Sequence, residues 1–207
     1  MKSEKESTYD VTHFEEKDGE AKGAPPTADE MKSHTEIQWM LLRLGTSMGL
    51  DVWVPKDDRN QVVEGHRFAD VLRLRDGRLT RFHEETNGTM ELIDVLWLEK
   101  NGIMAAFEIE TTTSDYPGLL RMADLIVLQP NLKIPFYLVA PDGHKKEAIA
   151  EVNRLTYHRL SLPLSQACRF ISFATVREQM RLVAPLHRRF SHEYLADISE
   201  SCEIDEV

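Results

Sequence analysis

Three acids stand where a buried strand should carry none. Residues 91–113 read ELIDVLWLEKNGIMAAFEIETTT, with Asp94 in the first apolar run and Glu108 and Glu110 in the second. Burying an unpaired carboxylate costs several kcal/mol, so such acids are neutralised by a metal, a base or a proton. Asn101-Gly102 joins the two runs, and that pair between apolar segments is the strongest short hairpin signal. On an extended strand, residues two apart point the same way. Glu108 and Glu110 therefore project together while Phe107 and Ile109 face the other layer. The hairpin sets Asp94 on a neighbouring strand about 4.8 Å away. Hard oxygen donors so arranged select Mg²⁺, Mn²⁺ or Ca²⁺ over zinc. Asp94, Glu108 and Glu110 are the candidate metal ligands. A metal held between them and a phosphate would activate water and offset the charge of a phosphoryl transition state.

The flanking segments must position these acids. Two Ser/Thr-x-x-Glu capping boxes, Thr27 with Glu30 and Ser33 with Glu36, mark the start of a helix. Ile37, Met40, Leu41, Leu44 and Met48 continue it at helical spacing, and Gly49 supplies a stop. Residues 51–55 (DVWVP) read as a short strand closed by proline. Residues 56–90 are charged and the least legible, with 71–74 (VLRL) and Asp76-Gly77 suggesting a strand and turn. Beyond the hairpin, residues 119–128 form an apolar helix stopped by Pro130. Residues 134–140 (IPFYLVA) form a strand covered on both faces. An amphipathic helix over 148–160, a strand over 168–173 and a helix over 176–187 complete the order. An antiparallel hairpin feeding alternating helices and strands predicts an α/β fold, a mixed central sheet flanked by helices on both faces.

The chain has 207 residues and a formal net charge of -10. Residues 1–33 contribute -4 and residues 191–207 contribute -6, so the segment between them is neutral. Residues 1–28 read as a disordered acidic tail, 29–190 as the folded domain and 191–207 as a C-terminal acidic tail. A neutral core with a dense basic stretch (Lys56, Arg59, Arg67, Arg73, Arg75, Arg78, Arg81) is compatible with phosphate binding. No apolar run reaches the roughly 20 residues of a membrane span, and the polar N-terminus is no secretory signal. Two cysteines, Cys168 and Cys202, imply reduced thiols and a cytoplasmic protein.

Taken together, the helix, the hairpin with Asp94 and Glu108-x-Glu110, and the following helix and strand resemble the PD-(D/E)xK nuclease superfamily. The similarity spans about residues 34–173. The segments FEIETTT and SDYPGLLRMADLIVLQPNLKIPFYLVAP also resemble a group of bacterial restriction-endonuclease-like proteins. The resemblance implies a restriction-endonuclease-like core. It matches Glu36 to the family's helix acid, Asp94 to its aspartate, Glu108 to its glutamate, and Glu110 to the position where lysine is usual. It further implies a Mg²⁺- or Mn²⁺-dependent endonuclease of host defence or repair. DNA is the expected substrate, RNA the alternative, and a homodimer or a larger defence or repair complex the expected assembly.

Glutamate at 110 cannot stabilise developing negative charge as lysine does. It can act as a general base or a further metal ligand, with Arg121 on the next helix as a replacement cation. Thr111 and Thr112 offer hydroxyls to phosphate; they equally suit a strand end or a helix cap. Two other readings compete. The acids form a buried ion-pair cluster with Lys100, Arg121 or Arg43, or the domain is a catalytically inactive nuclease-like module that binds nucleic acid or a protein.

Overall fold

The computed structural model describes residues 27–75, 84–100, 102–112, 116–130, 134–183 and 199–202. The acidic N-terminal stretch before Thr27, Asp76-Gly77, and most of residues 191–207 lie outside them. Six strands form one sheet in the order β1 (Asp51–Trp53), β4 (Val95–Glu99), β5 (Gly102–Ile109), β6 (Phe136–Ala140), β7 (Cys168–Ser172) and β8 (Glu200–Ser201). The pairs β1–β4, β4–β5 and β7–β8 are antiparallel, while β5–β6 and β6–β7 are parallel. This is the expected mixed sheet, and helices cover both faces.

Alternation along the strands decides which layer each residue enters. Val95, Trp97, Phe107, Tyr137, Val139 and Ile171 pack under α1 (Ala28–Ser47) and α7 (Phe173–Val183). Leu96, Leu98, Ala106, Phe136, Leu138 and Phe170 pack under α3 (Pro117–Leu128), α4 (Lys145–Val152) and the short helices α2 (Glu84–Met90), α5 (Leu155–His158) and α6 (Leu164–Ala167). All five residues of β6 are buried, as a strand with parallel neighbours and helices on both faces requires.

Thr27 caps α1 through a complete capping box with Glu30, the earlier of the two candidate starts, and Gly49 stops it at φ 81°. The helix lies close on the sheet. Trp97 Nε1 donates to the Leu41 carbonyl at 3.0 Å. A Cβ at Gly45 would stand 2.6 Å from Trp97 Nε1 and 2.8 Å from Val52 Cγ1.

Local order departs from expectation in four places. Residues 71–74 form a turn, with Leu74 making a single bridge to Val52 and Arg73 at φ 65°. The basic region folds instead as a small hairpin of β2 (Val62–Val63) and β3 (His66–Arg67), turned through Glu64 and Gly65 at positive φ. The helix expected over 148–160 is broken at Asn153, whose side chain donates to the carbonyls of Ile149 and Cys202. Glu200–Ser201 adds a strand inside the stretch read as an acidic tail. It is held by Asn153 and by Arg169, whose Nη2 donates to the Ser199 carbonyl at 2.8 Å. Cys168 and Cys202 are free and buried. Among the described residues, no helix is long and apolar enough to cross a membrane.

Gly45→Ala tests the close approach of α1. Alanine favours the helix by about 1 kcal/mol, but the indole and Val52 must move. A net destabilisation of about 1–3 kcal/mol is expected in chemical denaturation. An unchanged or raised midpoint would show that the layers have slack.

Candidate active site at the end of the hairpin

β5 delivers Glu108 near its end, and Glu110 follows one residue beyond it. Phe107 and Ile109 are taken into the α1 layer, so the two glutamates face α3. That helix opens with Pro117-Gly118, a proline whose missing N–H costs nothing at a helix start. The Gly118 N–H donates to Glu110 Oε1 at 2.9 Å, placing a carboxylate against a positive helix end. A Cβ at 118 would lie 2.6 Å from Glu108 Cβ and 2.9 Å from Glu110 Oε1, so the approach needs glycine.

From the next turn of α3, Arg121 reaches back to the sheet. Its Nε donates to Glu108 Oε1 at 2.8 Å and its Nη2 to Oε2 at 2.5 Å, a two-pronged pair. Glu108 is fully buried, whereas the arginine side chain keeps 25 % of its surface exposed. Asp94 immediately precedes β4. Its Oδ2 accepts the Ile109 N–H at 2.7 Å and lies 3.4 Å from His34 Nε2. One helical turn from His34, buried Gln38 donates Nε2 to the Asp94 carbonyl and to Asp58 Oδ2, each at 2.9 Å.

The cluster is short of positive charge. Burial pushes the Glu108 carboxyl well up, Asp94 adds to the push, and the Arg121 fork opposes it. Glu110 is raised to about 7, first by burial and then by Asp94, against the Gly118 N–H and Arg121. Burial works against a charge on His34, but the Asp94 hydrogen bond and the charges of Asp94, Asp58 and Glu110 outweigh it, and the imidazole is raised. Asp94, Glu108 and Glu110 thus act on one another, with Arg121 and His34 as the balancing groups.

The structure brings together Asp94, Glu108, Glu110 and Arg121. Arg121 takes Glu108 as its partner. Glu36 is not brought to them: it faces α7, where its Oε2 accepts from Arg177 Nη2 at 2.9 Å. Two residues along a helix turn a side chain through about 200°, so His34 and Glu36 cannot share a face. Thr111 and Thr112 follow β5 half-buried, and Thr113 and Ser114 lie outside the described residues. Sequence reading missed His34, Gln38 and Gly118. Their signal was an i, i+4 polar pair on the apolar face of the first helix and a glycine directly after a helix-starting proline.

Among the described residues, no group of three or more His, Cys, Asp and Glu side chains is arranged to hold a metal ion. Both oxygens of Glu108 are committed to Arg121. Asp94 and Glu110 each have one oxygen, Oδ1 and Oε2, without a hydrogen bond among the described residues. Carboxylate oxygens are the donors a hard cation takes, and in this cluster those of Glu108 are held by the arginine fork while Asp94 and Glu110 keep one uncommitted oxygen each.

The raised Glu110 carboxyl makes stability depend on pH with a definite sign. An acid whose folded value of about 7 exceeds its ordinary 4.5 costs nothing while protonated in both states, and the cost grows as pH rises through that window. Glu110→Gln keeps the acceptor for Gly118 and removes the charge. Without added divalent metal it should exceed the wild type in stability by roughly 2–3 kcal/mol at pH 8, and by little at pH 4.5. Denaturation midpoints across pH check this; a difference that ignores pH would contradict it.

Residues 15–202 match the family described as the type II restriction enzyme NmeDI C-terminal domain. No curated protein and no solved structure matches. A match that runs from residue 15 through the last strand covers the sheet, both helix layers and the acid cluster: the chain belongs to the family of the type II restriction enzyme NmeDI C-terminal domain.

Proposed function

We propose that this chain is a metal-dependent nuclease that hydrolyses DNA phosphodiesters at the cluster of Asp94, Glu108, Glu110 and Arg121. The observation that carries the reading is the gathering of three carboxylates, at the adjoining ends of two adjacent strands, near a single guanidinium in the first turns of α3. Membership in a restriction-enzyme domain family supports DNA as the substrate. A structural ion-pair cluster would balance its charges; this one leaves Glu108 and Glu110 with raised proton affinity, first through burial and then through Asp94, and added positive charge there would be favourable.

The residues divide the work. Asp94 and Glu110 would hold Mg²⁺ or Mn²⁺ through their uncommitted oxygens, and Glu108 would join by loosening its hold on Arg121. A bound divalent ion supplies Lewis-acid activation of water and neutralises charge at the phosphate. Were Glu110 to stay off the ion, its raised carboxyl would instead suit it to accept a proton from the attacking water. Arg121 supplies the cation that glutamate at 110 cannot: a guanidinium pairs with two phosphate oxygens as well as with a carboxylate. His34 fixes Asp94 and offsets its charge. Glu36 is left out of the set because it is engaged with Arg177 on another face.

A second reading rests on one contact. The closed Arg121–Glu108 fork occupies both oxygens of the most buried acid, as it would in an inactive module that binds nucleic acid without cutting it. A panel of plasmid, linear duplex, single-stranded DNA and RNA with Mg²⁺ or Mn²⁺ separates the two. The nuclease reading expects metal-dependent cleavage, lost at least 100-fold in Glu110→Ala and in Arg121→Ala. Cleavage that survives both substitutions would refute these roles, and binding without turnover at either metal would establish the inactive module. RNA as the preferred polymer would retain the chemistry and replace the substrate.

A further inference from the structure

A second feature lies on the outer face of α1, turned away from the acid cluster. Between α1, the β2–β3 hairpin with the turn after it, and the end of α7 is a cleft of about 640 Å³. That is the size of a small-ligand site. Trp39 forms its aromatic wall and stacks with His66 (ring centroids 5.9 Å apart, planes 8° apart) and with Phe68 (5.7 Å, 18°). Arg43, one turn along, lies over the indole at 5.6 Å. Thr46 and Ser47 add hydroxyls, and Arg67 and Arg73 stand on the opposite side.

The cleft keeps positive charge after its own pairs are made. Arg67 is matched by Asp70 at 3.0 Å. Arg73 is paired with Asp51 at 3.2 Å, a carboxylate it shares with Arg75 outside the cleft. Arg43 has no carboxylate partner among the described residues. Among the described residues the Arg43 guanidinium is the cleft's uncompensated charge, with two further guanidiniums beside it, and on a chain of net charge -10 this is a local attraction for an anion. The exposed imidazole of His66, lying flat on Trp39, is a stacking platform. Cation and exposed flat ring together are what a phosphorylated nucleotide unit requires.

We infer that this cleft binds one nucleotide of an unpaired nucleic-acid strand, its phosphate at Arg43 and its base on the His66–Trp39 stack. It would anchor the polymer away from the cutting centre. The inference rests on the nuclease reading for the choice of a strand over other anions, but the two can fail separately. A paired base is already stacked in its duplex, so a single strand should bind better than a duplex of equal length.

The full chain, without divalent metal, is titrated into fluorescein-labelled single-stranded DNA, single-stranded RNA and duplex DNA of one sequence, at several salt concentrations. Arg43→Glu and His66→Ala both change exposed side chains and should leave the fold intact, which thermal melting verifies. The expected result is single-strand affinity reduced at least tenfold by Arg43→Glu and about fivefold or more by His66→Ala, with a shallower salt slope only for the charge reversal. Wild-type affinity and slope in both variants would overturn the cleft while leaving cleavage at Glu110 untouched. A wild type that binds through Arg43 yet cuts nothing would sink the nuclease reading and keep the cleft. Displacement of the strand by a free nucleoside monophosphate at equal affinity would assign the cleft to a small nucleotide and overturn the strand proposal. So would equally tight capture of a phosphorylated peptide. Preference between the DNA and RNA arms names the polymer.

Discussion

Everything at the end of the hairpin follows from one imbalance: three carboxylates are gathered and partly buried, and a single guanidinium is given to them. Glu108, fully buried, takes both prongs of Arg121. A buried pair of that kind barely repays its own desolvation, so nothing is left to offset Asp94 and Glu110. They draw on weaker help: the Gly118 and Ile109 backbone N–H groups and the raised imidazole of His34. A cluster so arranged costs stability, and folds tolerate such costs mainly where chemistry needs them.

The surrounding architecture serves that imbalance. β5 sits between antiparallel β4 and parallel β6 and has a helix layer on each face, so its last residues are dry. Gly118 allows the start of α3 to touch the glutamates, and Arg121 follows within one turn. α1, held against the sheet by Gly45 and by the Trp97 hydrogen bond, brings His34 and Gln38 to Asp94 with one face. Its opposite face carries Arg43 and Trp39. One helix thus contributes residues to both the acid cluster and the cationic cleft.

Much of this was legible in the chain itself, for identifiable reasons. The Asn-Gly turn, the two-residue alternation of Phe107, Glu108, Ile109 and Glu110, and the unbroken apolar run of β6 are local signals. The sheet, its layers and the acid trio followed from them. Glu36 shows where sequence spacing fails, since its matching position in a family pattern says nothing of helix phase. His34, two residues earlier, is the one that meets Asp94. The partner of Arg121 was decided by tertiary reach, as were the strand Glu200–Ser201 and the helix break at Asn153. Each depends on a contact between side chains or strands that local pattern does not encode. The β2–β3 hairpin escaped notice because its strands are two residues long and exposed, too short for any periodicity.

The central claim, that the acid cluster lacks a positive charge which a divalent ion supplies, is tested most directly by calorimetric titration of Mn²⁺ at pH 6.5 in buffers of different ionisation enthalpy. The predicted result is saturable binding of one ion with release of protons, because Glu110 is partly protonated at that pH and must ionise to ligate. Glu110→Gln should weaken the binding and abolish most of the release. Absence of binding, or binding with identical proton release in Glu110→Gln, would contradict it.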